Sequence, residues 1–236
     1  NDGGHDPTVY VLDERGAPQG QIPLEGAENH DWEDMATGAC PSGSCIYLAD
    51  VGDNREVRDT VFLYRVKDPG SYDGSPSRAE VFPMVLPTGP RDMESMFILP
   101  GEDVYFISKG RSHPVTLYRY PPPLRPGEAT VLQTIQIMTE GPLPLYRQIT
   151  GADASSDGKI VAIRSYSELR FYTWAEGRLV PLEGAQVFLR TLNEIQGEGV
   201  ALGPDGTLVL TSEGALGREA VMNLLECGGS WQEEDR

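Results

Sequence analysis

The sequence predicts an all-β fold that is built from one repeated unit. A short acidic or polar motif occurs four times, at intervals of about 45 to 60 residues, and each copy precedes an apolar run that ends in a turn. This interval is close to the length of one four-stranded blade of a β-propeller. The 27 glycines and 19 prolines are typical of a chain with many short strands and turns. We therefore expect one β-propeller, whose four motifs begin at Trp32, Asp92, Thr150 and Gln196.

Turn residues indicate that the first two strands of a unit form a hairpin. Asp157-Gly158 and Asp205-Gly206 each separate two extended apolar runs, and glycine tolerates the positive φ that tight hairpin turns require. The first strand of each hairpin begins at the motif, and we expect it to line the central channel. Third strands are predicted over residues 61–66, 115–120 and 169–174, and fourth strands over residues 79–86, 130–137 and 186–189.

The two ends of the chain are predicted to close the ring. The last unit lacks outer strands, because the apolar spacing of residues 218–225 looks helical or irregular. At the other end of the chain, residues 8–12 and 21–24 are two predicted strands that belong to no unit. The economical solution is four blades, in which the N-terminal strands complete the last blade and leave no open sheet edge. Five blades are the alternative if the C-terminal segment contains a strand pair. Residues 1–226 would form a single propeller domain, and residues 227–236 a polar tail.

Composition limits the partners and the compartment. The formal net charge of −17 argues against nucleic acid as a partner, because phosphate binding depends on clustered Lys and Arg. No run of 18 apolar residues is present, so no membrane span is expected. Cys40 and Cys45 flank a turn short enough for a small disulfide loop, and the chain begins without a methionine or an apolar signal segment. We expect a processed bacterial protein that is secreted or periplasmic, or a trimmed fragment of one.

Four acids of the motifs are the candidate ligands of a metal ion. They lie at the starts of the inner strands, so they should converge at one mouth of the channel; they are Glu33, Glu94, Asp153 and Glu198. Carboxylates that crowd together raise one another's pKa unless a cation is present. Their hard oxygen atoms favour calcium, with magnesium as the alternative. The competing interpretation is a structural network in which these acids pair with basic side chains or backbone amides.

Further polar residues follow the second strands and should reach the same mouth. Lys109 and Arg164 would bind an anionic oxygen of a small or metal-bridged ligand and stabilise developing negative charge. Asp53 or Glu213 would act as a base. A Ser-His-Asp enzyme is not expected, because there is no Gly-x-Ser-x-Gly motif and the three histidines share no metal-ligand spacing.

Short motifs carry a resemblance to known propellers. Residues 196–201, 204–206 and 211–214 resemble the Glu-Gly-Ile-Ala, Asp-Gly and Ser-Glu pattern of the phytase-like family, also described as "esterase-like activity of phytase". Residues 31–34, 50–54 and 149–155 are similar to a group of uncharacterised exported bacterial propellers. Gluconolactonase and paraoxonase-type propellers are a more distant analogy. That analogy implies a channel calcium held by the four motif acids, which would polarise a lactone or phosphoester.

Two functions are compatible with these features. The first is an exported calcium-binding propeller with a binding or structural role. The second is a calcium-dependent hydrolase of an ester, lactone or phosphoester, in which calcium would lower the pKa of a bound water. The sequence leaves open whether the protein is an enzyme.

Overall fold

The computed structural model describes residues 3–192, 194–214 and 217–226, and these form an all-β propeller of five sheets. Blade 1 contains β1 (Thr8–Leu12), β2 (Pro18–Glu25) and β6 (Ser77–Arg78). Blade 2 contains β3 (Trp32–Cys40), β4 (Gly43–Asp50), β5 (Val61–Lys67), β7 (Glu80–Val85) and β11 (Thr130–Val131). Blade 3 contains β8 (Met93–Leu99), β9 (Asp103–Ser108), β10 (Thr116–Arg119) and β12 (Gln133–Ile137).

The remaining two blades come from the second half of the chain. Blade 4 contains β13 (Ile149–Ala154), β14 (Ile160–Ser165), β15 (Glu168–Ala175) and β16 (Arg178–Phe188). Blade 5 contains β17 (Gln196–Leu202), β18 (Thr207–Glu213) and β19 (Val221–Glu226). Short 3₁₀ turns at Leu145–Arg147 and Leu189–Thr191 follow blades 3 and 4.

The predicted hairpins are confirmed. In each of blades 2 to 5, the motif-bearing strand pairs antiparallel with the strand that follows it. Gly158 and Gly206 adopt φ values of 72° and 87°, which a residue with a Cβ rarely adopts. The predicted third strands correspond to β5, β10 and β15, so this part of the repeat follows from local turn chemistry and apolar runs.

The preferred count of four blades is wrong, and the alternative of five is what the structure shows. β1 and β2 do not complete the last blade; they pair with each other and, through Leu24 and Ser77, with β6 to form blade 1. The expectation that residues 218–225 are helical or irregular is also wrong, because residues 221–226 form β19, where Leu225 lies opposite Leu208. Apolar residues at these spacings fit a helix face as well as a strand, and pairing with the free edge of β18 decides between them.

Two short parallel pairings connect successive blades at their outer edges. β6 lies in the chain segment between two strands of blade 2 but pairs with β2 of blade 1. Similarly, β11 lies between two strands of blade 3 but pairs with β7 of blade 2, with Thr130 opposite Met84. Each pairing satisfies an outer strand edge that would otherwise be open.

Apolar clusters fill the four junctions from blade 1 to blade 5. Leu63 and Met84 of blade 2 pack with Met96 and Phe106 of blade 3, and all four are fully buried. The other junctions are built in the same way, around Ile22 and Tyr64, around Phe97 and Val161, and around Ala162 and Leu210. Stability thus comes from the burial of inward-facing strand residues between neighbouring sheets.

A carboxylate on the innermost strand of blade 2 joins three blades. Oδ2 of Asp34 accepts the N–H of Met96 in β8 at 2.8 Å and the N–H of Ala152 in β13 at 3.2 Å. Its other oxygen accepts the N–H of Met35 at 2.9 Å. Burial raises the pKa of Asp34 well above its ordinary value, while these three N–H groups lower it. Asp34 therefore fixes the spacing of the inner strands around the channel.

The predicted disulfide between Cys40 and Cys45 is confirmed. It joins the two ends of the β3–β4 turn. No described helix has the length and apolar character needed to cross a membrane. The division into a domain over residues 1–226 and a tail over residues 227–236 stays a prediction, because the tail lies outside the described residues.

Replacement of Asp34 by alanine should destabilise the fold without changing the surface. Three backbone N–H groups would lose their acceptor, and we expect the free energy of unfolding to fall by about 2–4 kcal/mol. Urea denaturation followed by circular dichroism measures this change. Glu183→Ala, which removes an exposed acid on β16, is the matched control and should leave stability unchanged. Equal stability of the two variants would contradict the role assigned to Asp34.

Candidate functional site

Each motif-bearing inner strand of blades 2 to 5 contains a β-bulge near its start. The strand register shifts between Trp32 and Asp34, between Met93 and Ser95, between Ile149 and Gly151, and between Gly197 and Gly199. The residues skipped by the pairing are Glu33, Glu94, Thr150 and Glu198. A bulge turns a side chain out of the regular alternation, and bulges are frequent next to functional sites. These four residues are therefore the structurally equivalent positions of the repeat.

The third position of this set differs from the sequence-based assignment. Thr150, not Asp153, occupies the bulge in blade 4, and its hydroxyl donates to the carbonyl of Gly197 at 2.8 Å. Asp153 lies three residues further along β13. Its two oxygens accept the N–H groups of Ala154 and Leu202, at 2.9 and 2.8 Å. Burial raises the pKa of Asp153 to about 6, and its contacts tie blade 4 to blade 5. Only three of the four predicted acids converge.

An open cavity of about 590 Å³ lies where these three acids meet. Its volume is in the range of small-molecule sites. Its ionisable lining side chains include those of Glu33, Glu94, Glu198, Lys109, Tyr166 and Glu213. Residues from the starts of first strands and from the ends of second strands thus line one cavity, and its place at the mouth of the channel stays a prediction.

Lys109 forms a buried ion pair with Glu94. Its ammonium Nζ lies 2.6 Å from Oε1 of Glu94, and the two side chains are 7% and 2% exposed. The backbone of Lys109 is fixed on both sides, because its N–H donates to Asp92 and its carbonyl accepts from Ile149. Burial raises the pKa of Glu94 to about 8, although the Lys109 ammonium lowers it. The neighbouring carboxylate Glu94 raises the pKa of Lys109 against the effect of burial, so the lysine keeps its charge.

Glu33 shares the cavity with this ion pair. No ion pair within the described residues involves Glu33, although the charge of Lys109 lowers its pKa. Burial is the largest cause that raises the pKa of Glu33 far above its ordinary range, followed by the negative charges of Glu94 and Asp31. A Cβ on Gly52 would overlap the carboxyl groups of both Glu33 and Asp31, so any other residue there would displace these two side chains. Glu33 therefore holds a proton at neutral pH.

Arg164 lies in the interface between blades 4 and 5. It is fully buried; one guanidinium nitrogen pairs with Glu194, and another donates to the carbonyls of Gly199 and Thr211 at 2.8 and 3.2 Å. Burial is the main cause that lowers the pKa of Arg164. Gly197 has no side chain, which leaves the space that this guanidinium fills. Its contacts join β14 to β17 and β18.

The two predicted bases occupy different environments. Asp53 is buried in the loop after β4, where its carboxylate accepts the N–H of Arg58 at 2.7 Å and its own N–H donates to Asp92. This is a turn-stabilising arrangement. Glu213, at the end of β18, lines the cavity. Of this pair, Glu213 is the one that a ligand in the cavity can contact.

Sequence reasoning missed one residue of the cavity and one position of the repeat. Thr150 is the fourth bulge residue but does not line the cavity, and nothing local in its strand marks the bulge. Arg111 lines the cavity from the loop after β9, where its guanidinium lies 3.3 Å from Oδ2 of Asp92. Its position two residues after Lys109, in a loop that follows a second strand, is the signal that would have included it.

A calcium ion held by all four predicted acids does not fit this arrangement. Asp153 faces the β13–β17 contact, and Glu94 already has an internal cation in Lys109. Among the described residues, no group of three or more His, Cys, Asp or Glu side chains is arranged to hold a metal ion. Glu33 and Glu198 still present oxygens to the cavity, so calcium binding in another arrangement, or magnesium binding, stays a prediction.

Comparison with known proteins supports the fold. No protein-family model matches the chain, and no curated protein matches it. Among solved structures, a PQQ-bound aldose sugar dehydrogenase of Streptomyces coelicolor is similar over 94% of this chain and 88% of that chain, with 10% identity and a TM-score of 0.51. A putative 6-phosphogluconolactonase from Bacteroides uniformis covers 94% of this chain and 78% of its own, at 10% identity and a TM-score of 0.45.

A periplasmic gluconolactonase of Pseudomonas aeruginosa matches 96% of this chain and 65% of its own, with 11% identity and a TM-score of 0.44. The dehydrogenase match supports a propeller fold and nothing finer, because fold alone does not determine function. The two lactonase matches are too weak to carry an argument. The resemblance to phytase-like propellers stays a prediction.

The stability of the protein should fall as the pH rises from about 5 to about 9. The raised pKa values of Glu33 and Glu94 mean that the folded chain holds protons that the unfolded chain has released. The stabilisation is complete below the ordinary carboxyl pKa and is lost as the pH rises through the folded value of Glu94, about 8. Glu33→Gln should flatten the decline by up to about 1.4 kcal/mol per pH unit.

Urea unfolding at a series of pH values measures this dependence. Glu183→Gln removes an exposed acid and serves as the control, whose curve should run parallel to that of the unmodified protein. A parallel curve for Glu33→Gln would contradict the assignment of a proton to Glu33.

Proposed function

We propose that the protein hydrolyses an ester, lactone or phosphoester bond of a small ligand bound in the channel-mouth cavity. The observation that supports this proposal is the buried Lys109–Glu94 ion pair beside Glu33, a carboxyl group that forms no ion pair within the described residues. A proton-accepting carboxylate next to a proton-holding carboxyl is an arrangement typical of acid–base catalysis.

Glu94 is the general base. Its raised pKa lies close to neutral pH, where a base is most effective. The Lys109 ammonium lowers the pKa of Glu94 and holds its carboxyl group in place, and Glu94 acts as the base in its ionised form. In the proposed reaction Glu94 takes a proton from a water molecule, while the water oxygen forms a bond to the carbonyl carbon of an ester or lactone.

Lys109 and Glu33 stabilise the negative charge that develops on the substrate. The ammonium group of Lys109 is aligned by its pairing with Glu94, so little reorganisation is needed when charge appears on the carbonyl oxygen. Glu33 then donates its proton to the leaving alcohol oxygen as the carbon–oxygen bond breaks. The products are a carboxylic acid and an alcohol, and Glu94 returns its proton to Glu33 through solvent.

An oxidising compartment fits this proposal. The Cys40–Cys45 disulfide supports a secreted or periplasmic location, because such bonds are rare where thiols are kept reduced. The cavity is open to solvent, so a ligand in solution can reach it.

Substitution of Glu94 tests the proposal. Glu94→Gln should lower kcat by about 10²-fold or more on any aryl ester, lactone or phosphoester that the protein hydrolyses, with a smaller effect on KM. Lys109→Met should lower kcat by a similar factor. The rate of the unmodified protein should rise with pH around 8, as Glu94 loses its proton. Initial rates on a substrate panel and thermal melting of each variant provide the measurements.

Glu183→Gln, on the outside of blade 4, is the matched control and should retain full activity. The proposal is overturned if the unmodified protein hydrolyses no member of the panel with or without added calcium. It is also overturned if folded Glu94→Gln retains the rate of the unmodified protein.

A binding or structural role that uses calcium is the second candidate. It is favoured by the excess of negative charge in the cavity, where four glutamates and two aspartates line the same space as Lys109 and Arg111. Metal analysis of the purified protein should then find about one calcium per chain, and a chelator should lower the melting temperature, because an ion that binds only the native state stabilises it. An unchanged melting temperature with no bound metal would rule out this candidate.

A further inference from the structure

A second recess of about 530 Å³ lies on blade 4, outside the channel. We name it the arginine groove, and its lining residues are Tyr146, Arg147, Ser167, Glu168, Arg170, Gln186, Phe188 and Arg190. They come from the 3₁₀ turn Leu145–Arg147, the start of β15, the end of β16 and the 3₁₀ turn Leu189–Thr191. Neighbouring residues of one loop separate the two sites, since Tyr166 lines the channel cavity and Ser167 lines the groove.

The groove is locally positive on a strongly negative protein. Three arginines surround one glutamate there, whereas the whole chain carries a formal net charge of −17. Long-range attraction therefore does not bring anions to this protein, and any anion that binds must be held by these arginines at short range. A second copy of the chain would be repelled by the same net charge.

Glu168 binds one of the three guanidinium groups and lies close to a second. Its Oε1 lies 3.0 Å from Nε of Arg170 and 3.8 Å from Nε of Arg147, and its side chain is only 13% exposed. The side chains of Arg170 and Arg147 remain about 44% and 43% exposed, and both line the groove. Within the described residues, no ion pair involves Arg190, which is exposed. Planar guanidinium groups held in this way are suited to bidentate contacts with carboxylates.

Aromatic rings are exposed in the same groove. Phe188 is 62% exposed and Tyr146 is 52% exposed. The polar side chains of Ser167 and Gln186 also line it. Exposed rings next to hydrogen-bonding groups suit a ligand with both an apolar face and hydroxyl groups. A pyranose ring has this character, because its axial C–H bonds form an apolar face and its hydroxyls lie at the rim.

We propose that the arginine groove binds an anionic saccharide that carries carboxylate groups. Arg147, Arg170 and Arg190 would contact the carboxylates, and the rings of Phe188 and Tyr146 would pack against the sugar faces. This binding site is separate from the channel cavity and does not depend on any hydrolytic activity there.

Calorimetric titration with trigalacturonate, at low salt, tests the proposal. The unmodified protein should bind it, and the fully methyl-esterified trisaccharide should bind about tenfold more weakly or worse, because it has the same rings without the charge. The double variant Arg147→Gln/Arg190→Gln should weaken trigalacturonate binding by about tenfold or more. Phe188→Ala should weaken the binding of both saccharides, because it removes a ring surface rather than a charge.

Arg178→Gln is the matched control, since Arg178 is an exposed arginine at the opposite end of β16 and should not affect binding. All substituted residues are on the surface, and unchanged melting curves would confirm that the variants fold. The proposal is overturned if trigalacturonate does not bind, if the methyl ester binds equally well, or if Arg178→Gln weakens binding as much as the double variant. Equal binding of hexaglutamate would also overturn it, because the groove would then recognise acidic chains in general.

Discussion

The contacts that Asp34 makes with three backbone N–H groups fix the inner ring of this propeller. β-Strands of different blades do not share a hydrogen-bonded ladder, so their innermost backbone groups need partners from elsewhere. Asp34 supplies acceptors to β8 and β13, and Asp153 does the same between β13 and β17. Two acids that occur in the repeated motifs thus position the strands, and the positions of the channel-facing residues follow from this.

The same geometry concentrates negative charge at the channel mouth. Bulges turn Glu33, Glu94 and Glu198 into one cavity, and Lys109 is the ammonium group that pairs there with Glu94. Crowded carboxyl groups with one close cation cannot all ionise easily, so one of them retains its proton. Two of the four bulge positions, those of Glu33 and Glu94, therefore supply the acid and the base of the proposed reaction.

Local sequence signals predict most of the strands and hairpins of this fold. They do not predict which strands pair when the strands are far apart in sequence. Asp157-Gly158 and Asp205-Gly206 marked hairpins because turn chemistry depends on adjacent residues. The blade count depended on β1 and β2 pairing with β6, a segment remote in sequence, and on β19 joining β18. The place of Asp153 depended on a bulge at Thr150, which no local pattern shows. Since side chains alternate along a strand, a small error in register changes which residue faces the channel.

The register of a strand also decides why adjacent acids of one motif have different roles. Glu33 and Asp34 are neighbours with almost identical side chains, but the bulge between Trp32 and Asp34 separates their directions. Asp34 has both oxygens occupied by backbone N–H groups, which leaves little capacity for a ligand. Glu33 lies in the cavity beside Glu94, where its carboxyl group can contact a ligand. In such a ring, the number of acids in the motifs overestimates the number available to a metal or a substrate, because those that hold the strands are already satisfied.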